Sequence, residues 1–320
     1  MKKSLLYTAA ALVALVAISC KKDDNSTTTP SLGGLSLSGT VVPYLAVGET
    51  LTLEADVSDI YTSDDSTPEN AIGMYWTVTL DGSVVQRDTT SRDIEVSHPK
   101  YAYTTTGLGK FTLTCYLFSS GYINSSSSVS FSVIDPENSL SGLSGKTQNI
   151  GGNKFYVTTI DGATWLANNL YGTPSGVSFY LSPVTDSFIG KFYSWKEALT
   201  ACPEGWSLPS AAEWDALGTD ACALMADAVL LEEQMWTYWP GMDITNAKGF
   251  NAIPAGYVDL TGGQSNVQGF MDYAIFWTAS PSEEDGDLAE YRYIYADKNI
   301  VQKGFGSKES LALPVRCIKD

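Results

Sequence analysis

Residues 202–214 read CPEGWSLPSAAEW and bring a thiol (Cys202), a hydroxyl (Ser210) and a carboxyl (Glu213) into one short stretch. Nucleophilic chemistry would require one of these groups to be activated by a neighbouring base. The chain has a single histidine, His98 in EVSHPKY, distant in sequence and followed by proline. One imidazole rules out a histidine-rich zinc site, and His98 reads as an ordinary loop residue.

The three groups have structural uses that need no substrate. Ser210 and Glu213 stand three apart just after Pro209, the spacing at which a serine caps a helix and a glutamate reaches back to close the cap. Ser194 and Glu197 repeat that spacing upstream. Trp195, Ala198, Leu199 and Cys202 then fall on one face of a helix that Pro203 must end, and Trp214 and Leu217 sit one turn apart on the inner face of the next. No catalytic residue is assigned to the stretch, and enzymatic activity is not expected.

The chain begins MKKSLLYTAAALVALVAISCKKDDNSTTTP: two lysines, an apolar run and a cysteine. Charge and length are those of a secretory signal peptide over residues 1–19, with an apolar run shorter than the roughly 20 residues of a membrane span. Ala17, Ile18 and Ser19 before Cys20 resemble the lipobox of bacterial lipoproteins, which implies cleavage before Cys20 and lipid on that residue. Lys21, Lys22, Asp23 and Asp24 resemble the export signal of Bacteroidetes surface lipoproteins, which implies an outer-membrane protein facing the exterior. Residues 20–34 read as a flexible tether.

The net charge of −17 grows by two when Lys2 and Lys3 leave with the signal. So acidic a chain repels phosphate backbones, and no nucleic-acid partner is expected. About 300 remaining residues exceed one ordinary core and call for two domains. Four cysteines remain, Cys115, Cys202, Cys222 and Cys317, in an export setting that permits disulfides. Cys115 lies in FTLTCYLF, where alternation puts it with Phe111, Leu113 and Leu117 on a buried, unreactive strand face.

Residues 35–135 alternate in short runs between turn residues, the pattern of an all-β immunoglobulin-like sandwich. Trp76 followed by YAYTTTGLGKFTLTCYLFSSGY resembles the polycystic-kidney-disease-type domain, which implies a spacer and a corner at Tyr103 and Gly109. Residues 136–153, PENSLSGLSGKTQNIGGN, are polar and read as a linker.

Five motifs then appear in order: DGATWLANNL, GKFYSWKEALTACPEGWSLPSAAEW, KGFNAIPAGYVDL, FWTAS and LPVRCIKD. Over residues 154–320 the chain resembles the Fibrobacter succinogenes major paralogous domain, which is similar in layout to α+β C-type lectin-like folds. That resemblance implies a disulfide between Cys202 and Cys317 and leaves Cys222 as a free core thiol. Calcium-dependent lectins carry an acidic-Pro-Asn or Gln-Pro-Asp tripeptide and a Trp-Asn-Asp, both missing from this sequence, so no metal is assigned. The acidic run at 280–290 lacks the ligand alternation of an EF-hand loop and reads as a solvated turn. Formylglycine-generating enzymes share a similar Leu-Pro-Ser run but need a C-terminal cysteine pair, where this chain has Cys317 alone. No cofactor is called for.

Ligand contact is sought in MWTYWPGMDITNAKGFN, in the region where lectin-like folds carry variable loops. Trp236, Tyr238 and Trp239 offer flat rings to a sugar face, and Asp243, Asn246 and Asn251 offer polar groups to hydroxyls. Alternation in WTYW sends successive rings to opposite sides, so at least one tryptophan belongs to the core. The expected role is non-catalytic recognition of a glycan or a surface protein, as in adhesion. The alternative is a structural subunit of a fimbria-like or outer-membrane assembly.

Overall fold

The computed structural model describes residues 29–68, 71–91, 100–236, 242–264 and 266–320. Cys20, His98, Tyr238 and Trp239 lie outside the described residues. The chain divides into two compact units, Met1–Ile134 and Asp135–Asp320. It is mostly β-sheet, and among the described residues no helix is long and apolar enough to cross a membrane.

In the first unit, a five-stranded sheet runs in the order Tyr44–Leu45, Ser125–Val133, Gly109–Phe118, Gly73–Leu80, Ser83–Ser91. A second sheet joins Ser36–Ser38, Thr50–Asp56 and Lys100–Thr104. Every second residue of these strands enters one shared core: Leu51, Leu53 and Ala55 from one sheet, Trp76, Val78, Leu113 and Leu117 from the other. Trp76 is stacked on Tyr101 at 5.0 Å, and fully burying a large apolar side chain stabilises a fold by about 1.5–3 kcal/mol. Cys115 is part of this core, and burial pushes its thiol up to about 12. A thiol that holds its proton so firmly is a poor nucleophile.

The second unit begins earlier than the polar composition of residues 136–153 predicts. Leu140–Ser141 pairs with Val229–Leu230, and Lys146–Ile150 forms a hairpin with Asn153–Ile160. The linker reading of residues 136–153 is therefore corrected in part: Leu140–Ser141 and Lys146–Ile150 are strands of the second unit. Lys146–Ile150 is an edge strand whose side chains stay largely in water, so it lacks the apolar alternation that marks a half-buried strand. Its signature lies in the turn, where Gly151 and Gly152 both take positive φ (58° and 86°), as a two-residue hairpin loop of the favoured twist requires.

The hairpin continues through Ala163–Leu166, which pairs with Ile318–Lys319 near the end of the chain, and Trp206–Ser207 closes the sheet. A second sheet runs Val177–Ser178, Lys191–Ser194, Leu311–Pro314, Tyr257–Asp259, Val267–Gln268. A three-stranded meander is formed by Tyr273–Pro281, Leu288–Tyr295 and Gln302–Ser307.

Helix is confined to short pieces. Ser194 Oγ accepts from the Glu197 N–H at 3.4 Å while Glu197 Oε2 accepts from the Ser194 N–H at 2.9 Å, at the start of Trp195–Ala201. Ser210 and Glu213 repeat the exchange at 3.3 and 2.7 Å before Ala211–Ala216. Trp214 and Leu217 are buried as the spacing predicts. Leu199 is not: it is 43% exposed, because a helix of seven residues turns only Ala198 fully inward.

Candidate functional site

The groups of the 202–214 stretch are occupied. Cys202, just past its helix, is bonded to Cys317 across a sequence separation of 115 residues, and Cys222 is a free, buried thiol. Ser210 and Glu213 hydrogen-bond each other and the helix start. No nucleophile–base pair remains there for chemistry.

The second expected site comes apart. Trp236 is 1% exposed and packs in a core with Trp165, Trp214, Phe250 and Phe276, so it is not a ligand contact. The reason is local: Leu231 and Glu232 turn tightly with positive φ between Val229–Leu230 and Glu233–Gln234. The Met235 N–H then bonds back to the Ala228 carbonyl at 2.9 Å, which draws the following tryptophan inward.

Asn251 is fully buried and is likewise removed from the contact set. Its Oδ1 accepts from the Ser144 N–H (3.1 Å) and from Asn246 Nδ2 (2.7 Å), and its Nδ2 donates to the Ser144 carbonyl (2.8 Å). Asn246 Oδ1 accepts from the Asn251 N–H at 3.0 Å. Both asparagines have left-handed backbone (φ 47° and 55°), which short polar side chains tolerate best, so the pair pins a loop. Asp243 is exposed.

Behind this loop lies Arg316, wholly buried and with no carboxylate among its hydrogen-bond partners. Its Nε donates to Asn169 Oδ1 at 2.9 Å, Nη1 to the Phe250 and Leu166 carbonyls at 2.7 and 3.3 Å, and Nη2 to the Asn251 carbonyl at 2.7 Å. The Phe250 and Phe276 rings lie 4.7 and 5.3 Å from the guanidinium carbon. Burial pulls its pKa down to about 9, and four acceptor oxygens with two ring faces supply the solvation that water cannot. Arg316 is spent on holding the fold.

Among the described residues, burial lifts the Asp186 carboxyl to about 6. Its Oδ2 accepts from Ser178 Oγ at 3.2 Å, whereas its buried Oδ1 has no hydrogen-bond partner. The Ser178 hydrogen bond and then the charge of Lys191 lower the pKa, but by less than burial raises it. Among the described residues no set of three His, Cys, Asp or Glu side chains converges to hold a metal ion.

What the fold does assemble is a face of tyrosines. Tyr291, Tyr293 and Tyr295 alternate along one strand of the meander and so share one side with their partners Trp277, Ile275 and Tyr273, where Tyr291 and Tyr293 pack partly buried against a core that includes Trp277 and Leu313; Arg292 and Ile294 point to the other side. Tyr273 on the neighbouring strand stacks on Tyr295 with centroids 4.6 Å apart and lies 6.1 Å from Tyr293; Tyr291 is 5.9 Å from Tyr293 and 6.2 Å from buried Trp277. Tyr257 joins from the adjacent sheet, since a Cβ placed on Gly269 would stand 2.7 Å from Tyr273 and 3.4 Å from Tyr257. All five tyrosines are half-buried.

Glycines make room for these rings. Gly304 faces Tyr291 across the ladder, and a Cβ there would come within 2.5 Å of the ring. Tyr293 Oη donates to Gln302 Oε1 at 3.2 Å. Among the described residues the hydroxyls of Tyr257, Tyr273, Tyr291 and Tyr295 have no hydrogen-bond partner, so rings fixed by stacking carry free polar tips. Burial, followed by neighbouring tyrosines, raises the Tyr273 and Tyr291 pKa values and keeps both neutral. The face can stack on a flat partner and exchange hydrogen bonds at its edge. This face is missing from the sequence-based expectations, although YRYIY at 291–295 carries its signal.

A sequence model of the Fibrobacter succinogenes major domain matches residues 151–319. The chain belongs to that family. The matched span contains the disulfide, both capped helices, Arg316 and the tyrosine face, so all the candidate chemistry belongs to the family domain. No curated protein matches the chain. Among solved structures, the CARDB domain of a Pyrococcus furiosus protein is similar at 13% identity and a TM-score of 0.21, over 33% of this chain and 95% of that one. A family 76 glycoside hydrolase from a bovine Bacteroides thetaiotaomicron strain gives 11% identity and 0.22, over 35% and 22%. The Yersinia pseudotuberculosis adhesin InvE gives 12% and 0.25, over 89% and 69%.

Proposed function

We propose that this Fibrobacter succinogenes major domain protein is a surface recognition protein that binds glycan through its tyrosine face and carries out no chemistry. The carrying observation is the set of five partly buried tyrosines gathered on one side of the meander, of which Tyr257, Tyr273, Tyr291 and Tyr295 have no hydroxyl partner among the described residues. Tyrosine suits such a surface because one end of the ring is apolar and the other wet, and it loses little conformational freedom on binding.

In the same proposal, Cys20 carries lipid, the first unit acts as an immunoglobulin-like spacer of polycystic-kidney-disease type, and the second has a C-type lectin-like layout. The protein then stands on the outer membrane facing outward, with the membrane as one partner and a glycan as the other. Each half has its own support. The Cys20 context is that of a lipobox, and the two sheets of the first unit share one core.

Glycan-array binding by the purified full-length protein tests the recognition role. Binding should weaken about tenfold in Tyr273→Ala and Tyr295→Ala, the size expected when a central aromatic contact is truncated. An array on which wild type is silent, together with co-purifying surface proteins, would instead support the structural-subunit reading.

A further inference from the structure

The margin of the tyrosine face is acidic, and this restricts what it can hold. Asp259 lies two residues from Tyr257 on the same strand and therefore on the same side. Asp272 precedes Tyr273, and its carbonyl accepts from the Ala296 N–H at 3.1 Å, which brings it beside the end of the Tyr295 strand. The nearby cations do not balance these acids: Lys303 pairs with Arg292, whose side chain points to the opposite face, and Lys298 sits in the exposed turn beyond the strand. Two Thr261 donors, its hydroxyl at 2.6 Å and its N–H at 3.0 Å, lower the Asp259 pKa from its ordinary value.

Carboxylates are acceptors only. Sugar hydroxyls can donate to them, whereas uronate, sialate or sulfate groups bring further acceptors and like charge. The chain as a whole, at −17, adds repulsion at longer range. Resting on the reading of the tyrosine face as a glycan site, we infer that its ligand is an uncharged glycan that contacts Tyr273, Tyr291, Tyr293 and Tyr295, with its hydroxyls donating to Asp259 and Asp272. The acids act both as hydrogen-bond partners and as a filter against polyanions.

Affinity electrophoresis of the full-length protein tests this with neutral polysaccharides (xyloglucan, galactomannan, mannan) and polyanions (polygalacturonate, chondroitin sulfate, heparin). At least one neutral polymer should retard the protein, and the retardation should change little with added salt, because no ion pair forms. Tyr295→Ala should reduce it roughly tenfold, a loss of one factor of ten in Kd. Tyr295→Phe keeps the stack and should lose less, and Asp259→Asn should weaken binding without restoring polyanion affinity to the level of the neutral ligand. A tyrosine difference spectrum on ligand addition reports the face itself, independently of folding in the variants.

Retardation by a polyanion equal to or stronger than by any neutral polymer, and abolished by Tyr295→Ala, would overturn the uncharged class while leaving the face in place. Neutral binding indifferent to Tyr273→Ala and Tyr295→Ala, with no tyrosine difference spectrum, would overturn the face itself.

Discussion

The Arg316 Nη2 donates to the Asn251 carbonyl at 2.7 Å, and both residues are sealed from water. One side chain near the C-terminus thereby organises a loop some 65 residues earlier, while Asn251 ties that loop to Ser144. Removing the guanidinium strands the Phe250 and Asn251 carbonyls and Asn169 Oδ1, and orphaned buried polar groups cost about 1–3 kcal/mol each. Arg316→Met should therefore lower stability by about 3–5 kcal/mol, the lower part of the sum for three orphaned neutral acceptors. Arg316→Lys should recover little, since an ammonium cannot span the four acceptors. Urea unfolding followed by tryptophan fluorescence measures both.

The Cys202–Cys317 bond closes a loop of 115 residues. In the chain-entropy view this contributes up to about 4–5 kcal/mol by restricting the unfolded chain. Cys202→Ser with Cys317→Ser should shift the unfolding midpoint by that order. Reductant should lower the wild-type midpoint and leave the double variant unmoved. A Cys222→Ser change should have neither effect.

Asp186 provides a pH dependence with a definite sign. Its carboxyl rises from 3.8 to about 6 on folding, so the folded state binds the proton more tightly than the unfolded one. The associated stability is fully present below pH 4 and is lost as pH climbs through about 6. The full shift corresponds to about 3 kcal/mol, which solvent screening at this partly exposed group reduces to about 1–2 kcal/mol. Asp186→Asn should match wild type near pH 4 and exceed it by that amount at pH 7.5. Thermal melts at the two pH values would disprove the account if the difference failed to grow with pH.

Gly304 tests the geometry of the tyrosine face without touching a ring directly. A methyl group there would meet the Tyr291 ring at 2.5 Å, and the ring, free at one end, must swing away. Gly304→Ala should weaken glycan binding severalfold while shifting stability by less than about 1 kcal/mol, since the strain falls on the far end of one partly buried side chain. Parallel calorimetric titration and thermal unfolding would check the split.

Much of the scaffold is written locally. The pairs Ser194 with Glu197 and Ser210 with Glu213 specify their caps, because a capping box is a three-residue interaction that needs only its own turn. The alternation of FTLTCYLF places Cys115 inside for the same reason. The Lys146–Ile150 hairpin was present in the sequence as Gly151-Gly152, but its polar edge strand concealed it.

The candidate site divides differently. Sequence determined the kinds of residue available: one histidine, many aromatics, an acidic surface and an alternating YRYIY. Whether a ring faces solvent or core depends on what packs against its strand, and no local pattern records that. Tertiary structure sent Trp236 and Asn251 into the interior and chose Cys317 over Cys222 as the partner of Cys202. It also brought Tyr257 and Tyr273 alongside Tyr291, Tyr293 and Tyr295, because strands from separate sheets must meet before their side chains can form one face.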